Sequence, residues 1–307
     1  MRLKAKQIKY ILVLFLISIC LSESLYAQEA ISVQIKTSAG EHYEALKLFE
    51  TLPKRKITAE SIISAARSAW ALSLHDRAQG LFDQALETGY LSDIDKARTY
   101  LSKAIIHHQQ EHHQMALLTA DKALEMLPNA GPLRAKVWLL IGQAKLKLKE
   151  YPQAYENLKK ALDESAIEDE GEARFQLGKA AMQLANYQEA EENFKAVPYG
   201  HERTAQAIRE LAESYVQRGM PEKSKFWIEK GKAEFPDQFI DSWPAYALMQ
   251  AAIKAGDLAT MRTIRNDVNR SFPAADFWVT IINATVEMTE KSARSAALQA
   301  SSEQEAT

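Results

Sequence analysis

Cysteine is almost absent from this chain: among its 307 residues only Cys20 carries a thiol, and it lies in an apolar N-terminal run. Once that run is removed, the protein can form no disulfide and no cysteine-based metal site. Its fold must then be held together by packing. Glycine is also scarce, with 11 residues, and the sequence contains neither a phosphate-cradling glycine loop nor a Gly-x-Ser-x-Gly nucleophile turn.

A block of one charge sign is missing as well. Lys and Arg total 38 and Asp and Glu total 40, which gives a formal net charge of -2. The basic residues are spread along the chain, and this distribution argues against a dedicated nucleic-acid binder. With 47% hydrophobic residues, the chain has ample material for a packed core.

No apolar run at the N-terminus is long enough to span a bilayer. The run from Ile11 to Leu21 has about eleven residues, short of the roughly 20 that a spanning helix needs. It follows a basic start and precedes a polar stretch that ends at Ala27, which is the pattern of a secretory signal. We therefore expect residues 1–27 to be a signal peptide cleaved after Ala27, and the protein to be exported, most simply to a bacterial periplasm.

Two alternatives for the N-terminus stay open. The signal is retained as a membrane anchor, or Cys20 is acylated and the protein is an anchored lipoprotein. A lipoprotein signal prefers a small residue before the cysteine, and Ile19 is not small. The sequence therefore disfavours the lipid anchor, and membrane association is expected only if the signal is uncleaved or lipidated.

The chain repeats itself between about residues 59 and 274. Each copy has an apolar stretch with a small residue, a turn, and then Ala-x-x-x-apolar-x-x-small, often closing on proline. The copies start near residues 59, 97, 135, 171, 205 and 242, at spacings of 38, 38, 36, 34 and 37. The fourth copy shows the pattern most fully, through Leu177, Gly178, Asn186, Tyr187, Ala190 and Phe194.

This pattern resembles the tetratricopeptide repeat. The resemblance implies an all-α fold, a right-handed α-solenoid of about six helix-turn-helix units with a C-terminal capping helix. Small residues at the eighth and twentieth positions of a copy would let its two antiparallel helices approach, and neighbouring copies would stack to make the core. The sixth copy is the weakest match, because Met249 and Met261 stand where small residues are expected.

The flanks match less well. Residues 28–58 are interpreted as a degenerate N-terminal half-repeat, in which Glu41 to Pro53 forms a second helix. Residues 275–291 are predicted to form the capping helix. Residues 292–307, rich in small and polar side chains, are predicted to be a disordered tail.

The resemblance also implies a binding surface, the concave side lined by first helices, with positions 5, 9 and 12 of each copy facing a groove. These positions are mostly apolar, and the family's carboxylate clamp is not found at them. We therefore expect an apolar extended or helical peptide as the ligand. Apolar stripes at helical spacing also form core, so this alternative stays open. The predicted peptide-binding residues are Ile63, Arg67, Trp70, Leu101, His108, Leu139, Gln143, Leu146, Phe175, Lys179, Met182, Arg209 and Tyr246.

The stretch "HHQQEHH", His107 to His113, contains the order His-x-x-Glu-His of inverted zinc peptidases. A zinc site of that type needs both histidines one turn apart on a continuous helix. The repeat phase places Glu111 and His112 in the turn between two helices. We therefore interpret the cluster as a solvated turn; a zinc peptidase and a surface metal site are the lesser alternatives.

The sequence as a whole predicts a non-enzymatic adaptor that binds another protein and needs no cofactor. Export suggests that it supports the assembly of an envelope or secretion complex. The alternatives are an anchored assembly lipoprotein and the zinc peptidase.

Overall fold

The structure, a computed structural model, describes residues 30–164 and 167–305, and the side chains of that part up to residue 299. Every regular element in those ranges is helical, which confirms the predicted fold class. The predicted signal peptide and Cys20 lie outside the described residues. The chain divides into two compact units, Met1–Leu148 (unit 1) and Lys149–Thr307 (unit 2), and the boundary falls within the third copy.

Unit 1 is a succession of helices in which each described helix packs mainly on its neighbours in sequence. A short 3-10 turn, Lys54–Lys56, precedes the first complete copy. The side chain of Thr58 caps the helix that follows by accepting from the backbone N–H of Ser61. The helices are α1 (30–38), α2 (His42–Thr51), α3 (Ala59–Ala71), α4 (His75–Glu87), α5 (Asp93–Gln109), α6 (His113–Glu125) and α7 (Pro132–Lys147).

Unit 2 continues the same alternation of helices. Pro236 opens a 3-10 turn directly after a helix that ends at Glu234. Each helix of unit 2 packs mainly on its own neighbours in sequence, as in unit 1. Its helices are α8 (Tyr151–Asp163), α9 (Glu170–Gln183), α10 (Tyr187–Lys195), α11 (Thr204–Gln217), α12 (Pro221–Glu234), α13 (Trp243–Ala255), α14 (Leu258–Ser271) and α15 (Phe277–Glu305).

Small residues set the approach of paired helices. Gly178 is the clearest case, since a Cβ atom there would lie 2.6 Å from the ring of Phe194 on α10. Phe194 is buried, so its ring has no room to retreat. All residues at the eighth and twentieth positions of the six copies are buried: Ala66, Ala104, Gly142, Gly178, Ala212 and Met249, and Ala78, Ala116, Ala154, Ala190, Ser224 and Met261.

The sixth copy keeps this arrangement with larger side chains. Met249 and Met261 are fully buried and belong to one cluster with Val279, Ile282 and Val286 of α15. Methionine is flexible enough to fill an irregular gap, which explains how it can occupy positions that are small elsewhere. The predicted cap is thus a helix that covers the last hairpin through one apolar face.

The structure differs from the sequence interpretation at both flanks. Residues 30–38 are helical, and Val33 is buried with Ala45 and Phe49 of α2, so the N-terminal segment contains a helical hairpin where a half-repeat was expected. At the other end α15 does not stop near residue 292 but runs to Glu305. Residues 291–299 are exposed, and their alanine-rich composition favours a helix without tertiary packing.

Candidate functional site

The histidine cluster is a helix turn. Helix α5 ends at Gln109, Glu111 adopts a left-handed conformation with φ of 63°, and α6 begins at His113. The backbone N–H of His112 donates to the carbonyl of His107 at 2.9 Å, the six-to-one bond of a Schellman motif. The predicted turn is confirmed. His108 and His112 are therefore not neighbours on one continuous helix, as the inverted zinc motif requires.

The histidine rings pair across this turn. The ring centroids of His108 and His113 are 4.9 Å apart, and those of His107 and His112 are 6.4 Å apart. Burial lowers the pKa of His108 below its ordinary value, and His113 and Lys147 lower it further. Burial likewise lowers the pKa of His107, with help from Lys103 and His112. Within residues 30–164 and 167–305, no three His, Cys, Asp or Glu side chains converge in a way that could hold a metal ion.

Several predicted groove residues are core residues. Leu101, Leu139, Phe175 and Met182 have exposed fractions of 7%, 9%, 4% and 8%. The ring of Phe175 lies 6.0 Å from that of Phe194, inside the cluster that also contains Met182. Helical spacing identifies the face on which these side chains lie. It does not show how closely the next helix covers them, and here that helix closes over them.

The predicted groove residues of unit 2 are engaged within the unit. The Arg209 guanidinium lies 4.8 Å from the ring centroid of Phe239 and 4.9 Å from that of Trp243, and it donates to both carboxylate oxygens of Asp241. Tyr246 lies against Trp278, with ring centroids 4.5 Å apart. Lys179 stays partly exposed with its Nζ 5.6 Å from the Phe175 ring centroid. These contacts leave little open surface at the predicted positions of unit 2.

Unit 1 retains an accessible set of predicted residues. Arg67 is exposed, and the others are half-buried, with the indole Nε1–H of Trp70 donating to Gln109 Oε1 of α5 at 2.9 Å. This hydrogen bond fixes the orientation of the indole ring and joins α3 to α5. Ile105, at position 9 of the second copy, is also half-buried and joins this set. The set is called the first-helix face, and it consists of Ile63, Arg67 and Trp70 on α3, Ile105 and His108 on α5, and Gln143 and Leu146 on α7.

Some residues that support this region were not predicted from the sequence. Gln109 supports Trp70, and Lys147 is close enough to His108 to lower its pKa. Both residues follow position 12 of their copies, so inclusion of position 13 could have found them. In unit 2, Glu172 on α9 is buried and accepts from Arg203 Nε at 2.5 Å.

The repeats also match a known family by sequence. A family model described as tetratricopeptide repeat matches residues 135–166 and 171–197. The two matches begin at the same residues as the third and fourth copies identified above. A comparison with curated proteins finds no match.

Solved structures with the same fold include several bacterial proteins. PilW, described as a widely conserved type IV pilus biogenesis factor, is 15% identical, with a TM-score of 0.58 over 73% of this chain and 97% of its own. A tetratricopeptide repeat protein of Parabacteroides merdae is 14% identical, with a TM-score of 0.55 over 86% and 98%. Pseudomonas aeruginosa pilF is 16% identical, with a TM-score of 0.54 over 74% and 97%. At these identities the likeness establishes the fold alone.

A helix that crosses a bilayer needs about 20 predominantly apolar residues. None of the helices described between residues 30 and 305 is both long and apolar enough to do so.

Proposed function

We propose that this protein, whose third and fourth copies match the tetratricopeptide repeat model, is a periplasmic adaptor that binds a peptide segment of another protein along the first-helix face of unit 1. In this role it supports the assembly of an envelope or secretion complex and performs no catalysis. The observation that carries the proposal is that three successive first helices of one unit all present accessible residues: Arg67 and Trp70 on α3, His108 on α5 and Leu146 on α7.

The chemistry of the first-helix face suits a peptide. Trp70, Ile105 and Leu146 offer half-buried apolar surface, and Gln143 and His108 offer polar atoms among them. A Trp and an Arg are the side chains most often found at the energetic centres of protein interfaces. Since the Trp70 ring is already held by Gln109, little side-chain freedom is lost when a ligand packs against it.

The location of the proposed complex rests on the N-terminal signal pattern. A basic start, a short apolar run and Ala27 direct export. PilW, which has the same fold, is described as a type IV pilus biogenesis factor. The mass of the mature N-terminus tests the location, because a start at Gln28 supports a free periplasmic protein and an acylated Cys20 contradicts it.

The binding role can be tested with a double substitution, Arg67→Glu with Trp70→Ala, in the mature chain. We expect this variant to lose partner capture from an envelope extract and to retain its helical circular-dichroism signal. Arg77→Glu is the matched control, since Arg77 is exposed on the second helix α4, where it pairs with the exposed Glu50 at 3.3 Å. Equal capture by wild type, control and double variant would exclude the first-helix face as the binding surface.

A further inference from the structure

Exposed apolar side chains recur at the connections between repeats in unit 2. Tyr199, in the connection of α10 to α11, is 77% exposed, and Ile240, in the connection of α12 to α13, is 74% exposed. Phe277, at the start of α15, is 66% exposed. One such residue in each of three successive connections is a pattern, whereas single exposed apolar residues are ordinary.

The three connections lie side by side. The ring of Tyr199 is 6.2 Å from that of Phe235, which leads into the second connection. The second connection is joined to the third through Ser242, whose hydroxyl donates to the Asp276 carboxylate next to Phe277. Neighbouring packed helices are about 10 Å apart. The three connections therefore follow one another along the unit, and we call their exposed apolar side chains the loop edge: Tyr199, Ile240 and Phe277.

The backbone of these three connections is fixed by hydrogen bonds and packing. Thr204 Oγ1 donates to the carbonyl of Pro198 at 3.1 Å, which ties the connection that carries Tyr199 to α11. Phe239, next to Ile240, is 5% exposed and lies against the guanidinium of Arg209. Asp276 accepts from the backbone N–H groups of Trp278 and Val279 at 2.9 and 3.2 Å. A surface held in this way loses little freedom when a partner docks.

The charges around the loop edge are acidic. Asp237 is exposed, and within the described part of the chain no cation lies at ion-pair distance from it. The side chain of Glu202 is 76% exposed, and its carboxylate lies 3.8 Å from Arg203 Nε. That nitrogen donates its hydrogen bond to Glu172. Arg209 is committed to Asp241. Arg203 and Arg209 are thus engaged within the unit, while Glu202 and Asp237 still face solvent.

We propose that the loop edge of unit 2 docks a basic amphipathic segment of a partner protein. Its apolar side chains pack on Tyr199, Ile240 and Phe277, and its Lys or Arg side chains face Glu202 and Asp237. This surface is separate from the first-helix face and does not depend on it. An anionic membrane is a poorer occupant, because the acidic side chains would repel its surface.

The probe for this surface is a fluorescein-labelled synthetic helix with Leu on one face and Lys on the other, titrated with the full mature protein by fluorescence anisotropy. We expect the triple variant Tyr199→Ser, Ile240→Ser, Phe277→Ser to bind at least tenfold more weakly than wild type. The double variant Glu202→Gln, Asp237→Asn should bind several-fold more weakly and lose most of the salt dependence. Met288→Ser, at a 72% exposed apolar residue elsewhere on α15, is the matched control and should bind like wild type.

Three outcomes would overturn the proposal. The triple variant binds like wild type, a peptide with Glu in place of Lys binds equally well, or the loop edge binds vesicles of anionic lipid more tightly than the peptide. The substituted residues are exposed, so circular dichroism should report an unchanged fold in every variant. Arg67→Glu should leave peptide binding unchanged, which separates this result from the test of the first-helix face.

Discussion

At the residue scale, the hairpin turns depend on one backbone conformation. Seven of the short connections between consecutive helices have one residue at positive φ, between 58° and 78°. Glycine adopts this conformation without a steric penalty, whereas a side chain adds a cost of about 1–2 kcal/mol. The residues are Gly40, Ser73, Glu111, Lys149, Ala185, Gly219 and Gly256. Four of these turns therefore carry backbone strain that glycine would relieve.

The first prediction concerns the exchange of alanine and glycine at two such turns. Ala185→Gly should raise the free energy of unfolding by about 1 kcal/mol, because it removes the strain of φ 58°. Gly219→Ala should lower it by a similar amount, since a Cβ there meets no atom within 4 Å and only the backbone term changes. Urea unfolding midpoints measure both changes. Shifts of the same sign for both variants would contradict this explanation.

The second prediction concerns Glu210 on α11. Burial raises the pKa of its carboxyl to about 7, with a contribution from Glu213 and an opposing one from Lys179. A pKa above the unfolded value means that folding favours the protonated form. Stability is therefore retained at low pH and lost as pH rises from about 4.5 through 7. Glu210→Gln removes this loss.

Glu210→Gln should thus stabilise the protein at pH 8 and have little effect at pH 5. The expected gain at pH 8 is on the order of 2 kcal/mol after allowance for partial solvent exposure. Thermal unfolding at the two pH values measures it, with Glu222→Gln on the exposed side of α12 as control. Equal effects at both pH values would show that packing, and not ionisation, is responsible.

At the element scale, the repeat pattern predicts pairing of helices better than it predicts accessible surface. The small residues Ala66, Gly178 and Ala190 mark where helices touch, and this local pattern is visible in the sequence. Phe175 and Ile63 are both fifth positions of their copies, yet Phe175 is 4% exposed and Ile63 is half-buried. The difference in exposed fraction depends on how side chains of other helices pack over each position. The periodicity of a single helix carries no information about that packing.

The third prediction concerns two histidines beside the turn between α5 and α6. The folded protein lowers the pKa of both His107 and His108, chiefly by burial. Folding therefore favours the neutral imidazoles. Above the unfolded pKa of about 6.5, these imidazoles are neutral in both the folded and the unfolded protein, so the free energy of unfolding does not change with their titration there. It falls as pH drops below that value, because the unfolded protein then binds more protons.

Replacement of both histidines by glutamine should reduce this acid-dependent loss. We expect the urea midpoint of wild type to fall between pH 7.5 and pH 5.5, and that of His107→Gln, His108→Gln to fall less. The α5–α6 turn does not require imidazoles for its backbone hydrogen bonds, such as that from His112 N–H to the His107 carbonyl. An equal fall in both proteins would place the pH dependence elsewhere.

At the scale of the whole molecule, helices contact mainly their neighbours in sequence. Ile106 is buried among residues of α3, α4 and α5, and Ile228 is buried among residues of α11 and α13. The repeat pattern of the sequence predicts this arrangement, since stacked repeats bury surface only against adjacent repeats. It does not anticipate the division into two compact units, because every copy has the same pattern on both sides of Leu148.

This architecture predicts that damage to the core stays local. Ile228→Ala removes side-chain volume at a site that is 0% exposed and should cost about 2–5 kcal/mol of local stability. Amide hydrogen exchange should then accelerate in α11, α12 and α13 and remain unchanged in α3 to α6. Ile106→Ala, also 0% exposed, should give the reverse result. Acceleration across both units in either variant would show that the repeats unfold together, because a single cooperative transition transmits a local loss to every amide.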